Sequence, residues 1–231
     1  MNFFLLLPFC TFFFSCSPHA GNKKQDSRID SLNIKRIKDS TAAWRPAPVT
    51  CRHTDLSDEF DIEISATRYQ TRELGDSTFV TVTAGDKEGN KKAIFGYYST
   101  FFLDTVFEDC NFVRSYSTGK NKDAEVVDND FGDVVIADLN FDGRDDLALK
   151  RELGGNGGPL YYFYIQDKKG DFAEDEYLSD SVVFFPNEIN EKKKMITTLV
   201  HASAYSVRET KYSYRNNKWI VSGNRIIGFG K

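Results

Sequence analysis

From residue 60 onward the apolar side chains fall on every second position. Phe60, Ile62, Ile64 and Ala66 alternate with Asp61, Glu63, Ser65 and Thr67, and Val80, Val82 and Ala84 alternate with Thr81 and Thr83. Successive side chains of a strand point to opposite faces, so a period of two means sheets with one dry face and one wet face. Asp86-Lys87-Glu88-Gly89-Asn90 reads as a hairpin turn, after which residues 92–98 return. Further strands are expected over residues 112–116, 133–137, 146–151, 161–166, 181–185, 195–200, 206–214 and 219–222. No long segment has a helical period. The pattern predicts an antiparallel all-β chain. The 20 Phe and 11 Tyr, against 2 Met, favour strands as well. No internal repeat is found, which argues against a multi-blade propeller.

The N-terminus has a different character. Residues 3–14 read FFLLLPFCTFFF without a charge. That is shorter than the roughly 20 residues of a membrane-spanning helix, and it suits the apolar part of a secretory signal. Ser15 then places a small residue before Cys16. An apolar run, a small residue and a cysteine resemble a bacterial lipoprotein signal, in which Cys16 would carry the lipid; a plain cleaved signal is the alternative. Residues 1–15 are then the signal, 16–48 the lipidated cysteine and a polar tether, and 49–231 the all-β domain. The tether ends in Arg45-Pro46-Ala47-Pro48, an extended spacer. The expected location is the cell envelope, with the chain anchored to the membrane and facing the periplasm or the cell surface. In that setting Cys51 and Cys110 are expected to pair as a disulfide, worth roughly 4 kcal/mol for a loop of this length; two free thiols are the alternative.

The densest chemistry lies in Asp138-Leu139-Asn140-Phe141-Asp142-Gly143-Arg144-Asp145-Asp146. Oxygen-bearing side chains stand at positions 1, 3, 5 and 9, with Gly at position 6. That spacing wraps hard oxygens around one cation, and the glycine permits the tight turn. The expected Ca²⁺ ligands are Asp138, Asn140 and Asp142 through side chains, Arg144 through its carbonyl, and Asp146 directly or through water. An EF-hand needs Glu at position 12, where this chain has Leu149, and the flanks read as strands. The motif therefore predicts a calcium-binding β-hairpin loop of FG-GAP or dockerin type, with a Kd on the order of 10⁻⁴ to 10⁻³ M. An acidic turn without an ion is the alternative.

Downstream stand Gly154, Gly155, Asn156, Gly157 and Gly158, then Pro159 and a strand containing Tyr161, Tyr162 and Tyr164. No Lys-Ser/Thr follows the glycines, so this is not a phosphate loop. It reads either as a hairpin connection or as a partner-binding loop, in which glycine allows close approach and Tyr161 supplies contact area.

The order of calcium loop, glycine loop, Tyr-rich strand, Asp167-Lys168-Lys169-Gly170-Asp171-Phe172 and Phe185-Pro186-Asn187 resembles a family of exported calcium-binding β-proteins. The family includes a periplasmic immunity protein that inhibits a peptidoglycan hydrolase and is similar to type I periplasmic lysozyme inhibitors; other similar proteins are lipoproteins of unknown role. The resemblance covers residues 128–222. It implies an antiparallel β-sandwich or a single propeller-blade-like sheet, with a loop that plugs the cleft of a lysozyme-like enzyme. Where the inhibitors carry Ser-Gly-x-x-Tyr, this chain has Gly157-Gly158-Pro159-Leu160-Tyr161, and so lacks the serine hydroxyl.

A net charge of −4 argues against a nucleic-acid partner. Three scattered His argue against a His-based metalloenzyme or a Ser-His-Asp hydrolase. Asp146 and Glu152 are considered as a glycosidase dyad and read instead as separate surface carboxylates. The expectation is a non-enzymatic envelope protein that binds, and inhibits, a peptidoglycan hydrolase. The alternative is a non-inhibitory module that binds a glycan or another envelope protein.

Overall fold

The computed structural model describes residues 49–71, 75–99, 111–155, 158–182 and 184–229. The signal, Cys16, the tether, Cys110, Asn156 and Gly157 lie outside the described residues. Among those described, no helix is long and apolar enough to cross a membrane.

The chain is all-β, and its described residues form three sheets of consecutive strands. The first is β1 (Val49–His53), β2 (Phe60–Thr71), β3 (Gly75–Asp86) and β4 (Lys91–Ser99), all antiparallel. The second is β5 (Val113–Ser115), β6 (Val134–Ala137), β7 (Asp146–Glu152), β8 (Leu160–Gln166) and β9 (Phe172–Glu174). The third is β10 (Glu188–Asn190), β11 (Met195–Ser203), β12 (Ser206–Arg215) and β13 (Lys218–Gly228). A short helix, α1 (Glu176–Ser181), lies between the second sheet and the third.

The alternation in β2 and β3 has the expected effect. Phe60, Ile62, Ile64, Val80, Val82 and Ala84 are buried, and they pack on Val134, Ile136, Leu147 and Leu149 of the middle sheet. The middle sheet is different because it is covered on both sides. Val135, Ala137, Ala148, Tyr161 and Phe163 point the other way, into a second core with Leu178, Phe185, Ile196, Tyr212 and Trp219. Burial on both faces explains the unbroken apolar runs of β6 and β7. The result is a three-layer arrangement with β7 near its centre.

Two sequence expectations are corrected. β5 runs parallel to β6, so the middle sheet is mixed rather than antiparallel. Of the strand expected over residues 181–185, none of the described residues (181, 182, 184 and 185) is in a strand. Asp175 caps α1 by accepting from the Leu178 N–H at 2.9 Å, which draws the preceding segment into a helical turn and buries Leu178. Phe185 then enters the core from irregular backbone.

Candidate functional site

β7 carries a candidate element at each end. At its start is the Asx-rich loop, residues 138–145; past its end is the glycine loop.

The Asx-rich loop is tied to itself. Asp138 accepts from the Asp142 N–H at 3.0 Å through Oδ1 and from the Gly143 N–H at 2.8 Å through Oδ2. Asn140 Oδ1 accepts from the Asp142 N–H at 3.0 Å, and Asp142 Oδ1 from the Arg144 N–H at 3.0 Å. Such short-range bonds are what Asp and Asn offer a turn. Phe141 and Gly143 take left-handed backbone, with φ of 62° and 84°. Phe141 also reaches the third sheet, its ring 6.1 Å from that of Trp219.

Asp146, expected as the ninth-position ligand, is instead a fully buried hub. Its Oδ2 accepts from the N–H groups of Leu139 at 2.8 Å and Asn140 at 3.3 Å, and its Oδ1 from Gln166 N–H at 2.9 Å. Burial pushes its pKa up to about 8 against those donors. The cause lies in the strand: Asp146 is the first residue of β7, and the pleat aims it inward.

The fit of a cation can be tested on these residues. Asp138, Asn140 and Asp142 are hard oxygen donors on a single turn. Burial, and then the charge of Asp142, raise the pKa of Asp138, so negative charge there lacks full compensation. On the other side, the Arg144 guanidinium donates to Asp142 Oδ2, which also accepts from Asn140 Nδ2 at 3.2 Å. Among the described residues, no three His, Cys, Asp or Glu side chains form a metal-binding group. The donor set thus fits a weak, partly hydrated site on Asp138, Asn140, Asp142 and the Arg144 carbonyl.

Residues far away in sequence complete the neighbourhood. Ser57 Oγ donates to Asp145 Oδ2 at 2.5 Å, and Ser117 Oγ donates to Asp145 Oδ1. Burial and the charge of Asp145 raise the pKa of Glu59. No sequence signal links these residues to the loop, because 88 positions separate Ser57 from Asp145.

The glycine loop is held from outside. Gly158 is buried with φ +107°, and a Cβ there would lie 2.1 Å from the Asp128 carbonyl oxygen. Gly154 has φ +63°, and a Cβ there would lie 2.0 Å from the Gly158 carbonyl oxygen. Only glycine permits both approaches. The Gly158 N–H closes the loop on the Gly155 carbonyl at 3.2 Å. Leu153, Gly154 and Gly155 are exposed. Tyr161, expected as a partner contact, is 1 % exposed, and its hydroxyl donates to the Gly132 carbonyl at 2.8 Å. It is a core residue that fixes the root of the loop, because its face of β8 meets the second core.

Asp146 and Glu152 occupy opposite ends of β7. Six strand steps separate them by about 20 Å, too far for a glycosidase dyad. Cys51 is disulfide-bonded and buried; Cys110, its expected partner, is outside the described residues.

No protein-family model matches the chain, and no curated protein matches it. Among solved structures it is similar to a Xanthomonas type IV secretion system related protein, with 13 % identity and a TM-score of 0.49, over 78 % of this chain and 93 % of that one. Nothing about function follows from a likeness of that size.

Proposed function

We propose that this chain is a cell-envelope lipoprotein that inhibits a peptidoglycan hydrolase by seating the exposed tip of its glycine loop in the enzyme's cleft. The observation that carries the reading is the contrast within that loop. Its base is locked by Gly158 on the Asp128 carbonyl, while Leu153 to Gly155 protrude into solvent. With its base already held in place, the loop loses less conformational freedom on binding. Its glycines let an enzyme wall approach the backbone, and Leu153, 49 % exposed, adds apolar area. Blocking a cleft is steric and needs no reacting group on this side.

Calcium belongs to the same proposal. When bound, it would supply positive charge to Asp138, Asn140 and Asp142 and so stiffen the hairpin that starts β7. Lipidation of Cys16 and a Cys51–Cys110 disulfide complete the reading, which places the domain beside the cell wall.

The test is inhibition. The purified full chain is added to a panel of muramidases and other peptidoglycan hydrolases acting on cell-wall suspensions, in calcium and in chelator. Stoichiometric inhibition of one enzyme class, weaker in chelator, is expected. No inhibition anywhere would overturn the proposal and favour a non-inhibitory glycan- or protein-binding module.

A further inference from the structure

Between the segment 114–131 and the third sheet lies an open groove of about 580 Å³. That volume is within the range of small-molecule sites. Its distinctive lining residue is Arg114, only 5 % exposed. The Arg114 Nη2 donates to the Ala124 carbonyl at 2.9 Å, and the guanidinium lies over the Phe131 ring, 5.3 Å from its centroid. Its charge partly offsets the rise that burial gives the Tyr116 pKa. The buried Nε donates to nothing, and among the described residues no carboxylate pairs with this guanidinium.

That is an expensive arrangement for a cation. Buried charges are normally paired, and an unmet charged donor costs more than a neutral one. The acids at the groove, Asp123 and Asp128, are exposed, where water and salt screen them. The lysine of the groove, Lys122, is exposed too, its Nζ 5.6 Å from the centre of the Tyr116 ring.

Beside these polar groups the groove has one apolar wall. The backbone of Leu199 is already satisfied: its N–H donates to Asn187 Oδ1 at 2.7 Å, and its carbonyl accepts from Asn129 Nδ2 at 2.9 Å. Asn187 in turn donates to Asn129 at 2.7 Å. This wall therefore presents the apolar side chains of Leu199 and Val207 beside Val126 and Phe229.

We propose that this groove binds an organic carboxylate, with the anion taken by the Arg114 guanidinium and a short apolar body lying along Val126, Leu199 and Val207. Arg matches a carboxylate with two parallel donors, which makes it the fitting residue for this task. The apolar body distinguishes the ligand from an inorganic anion. The groove adjoins the base of the glycine loop at Asp128 and Asn129, but the proposal needs no hydrolase, and its test reads ligand binding rather than inhibition.

The test uses two pairs of probes on the wild-type full chain, followed by NMR titration. One pair is N-acetyl-leucyl-alanine and its C-terminal amide; the other is octanoate and octanamide. The expected result is that at least one acid binds about tenfold or more tightly than its amide, with shifts confined to Tyr116, Val126, Leu199 and Val207. Binding of the dipeptide acid alone names a peptide C-terminus as the source, and octanoate alone a fatty acid; both support the site. Equal binding of acid and amide, shifts elsewhere, or no binding by either acid overturns it. Arg114→Lys should retain part of the preference and Arg114→Met should lose it. Because Arg114 is buried, the variants are read only where their circular dichroism matches wild type; the acid–amide comparison does not depend on them.

Discussion

The two loops flanking β7 are stabilised in opposite ways. The Asx-rich loop carries its own fastenings: the side chains of Asp138, Asn140 and Asp142 accept the loop's own N–H groups. The described glycines of the other loop, Gly154, Gly155 and Gly158, have no side chains to do this. That loop is fixed by what its backbone touches, above all the Asp128 carbonyl beneath Gly158. The first loop depends on chemistry within it, the second on the absence of side chains where another segment passes. In the proposed function the first would take an ion and the second a partner surface.

The comparison can be broken by mutation. The largest effect is expected from Asp146→Ala, which strands three buried N–H groups at once. A loss of about 4 kcal/mol should appear in urea unfolding. Gly158→Ala should cost about 3 kcal/mol, because the new Cβ meets backbone in a left-handed conformation. If it were as benign as a change at the exposed tip, the loop would not be pinned as described.

Next in size is a pH effect at the root of the glycine loop. Asp133 is buried with Lys150, Nζ to Oδ1 2.8 Å, and its carbonyl accepts from the Lys150 N–H. Burial raises its pKa from 3.8 to about 7, only partly offset by the Lys150 charge. The folded state therefore binds an extra proton between those values. The contribution of this group is largest below about pH 4 and is lost as pH rises towards 7. Asp133→Asn should remove a slope on the order of 2 kcal/mol across that window, measured by unfolding at fixed ionic strength.

Smaller still is Gly143→Ala. Its φ is +84° but a Cβ there meets nothing, so only backbone strain of about 1 kcal/mol is expected. Gly155→Ala has neither strain nor contact and should stay within about 0.5 kcal/mol. The spread between Gly158 and Gly155 is the sharpest measure of how the loop is held.

Much of the fold was readable because a period of two is a strong signal where one face is wet. β2, β3 and β4 follow from it directly. The middle sheet gave less, since β6 and β7 are apolar on both faces and alternation vanishes. The parallel pairing of β5 with β6 is fixed by a connection whose route no local pattern records. Spacing located the Asx-rich loop, but it could not say that the ninth residue begins a strand and turns inward. In β8, alternation separated Tyr161 and Phe163 from Tyr162 and Tyr164 without saying which face was buried; both meet a core. Ser57, Ser117 and Arg114 acquire their roles only through tertiary contacts.

The most direct test of the central claim puts a charge on the tip of the glycine loop. Leu153→Asp changes an exposed residue and should leave stability within about 0.5 kcal/mol of wild type. Val221→Asp, on the exposed surface of β13, is the control. Both are titrated against the hydrolase that the wild-type chain inhibits. The account predicts that Leu153→Asp weakens inhibition by about a hundredfold, as loss of a central contact does, while Val221→Asp inhibits like wild type. Full inhibition by a folded Leu153→Asp protein would contradict it.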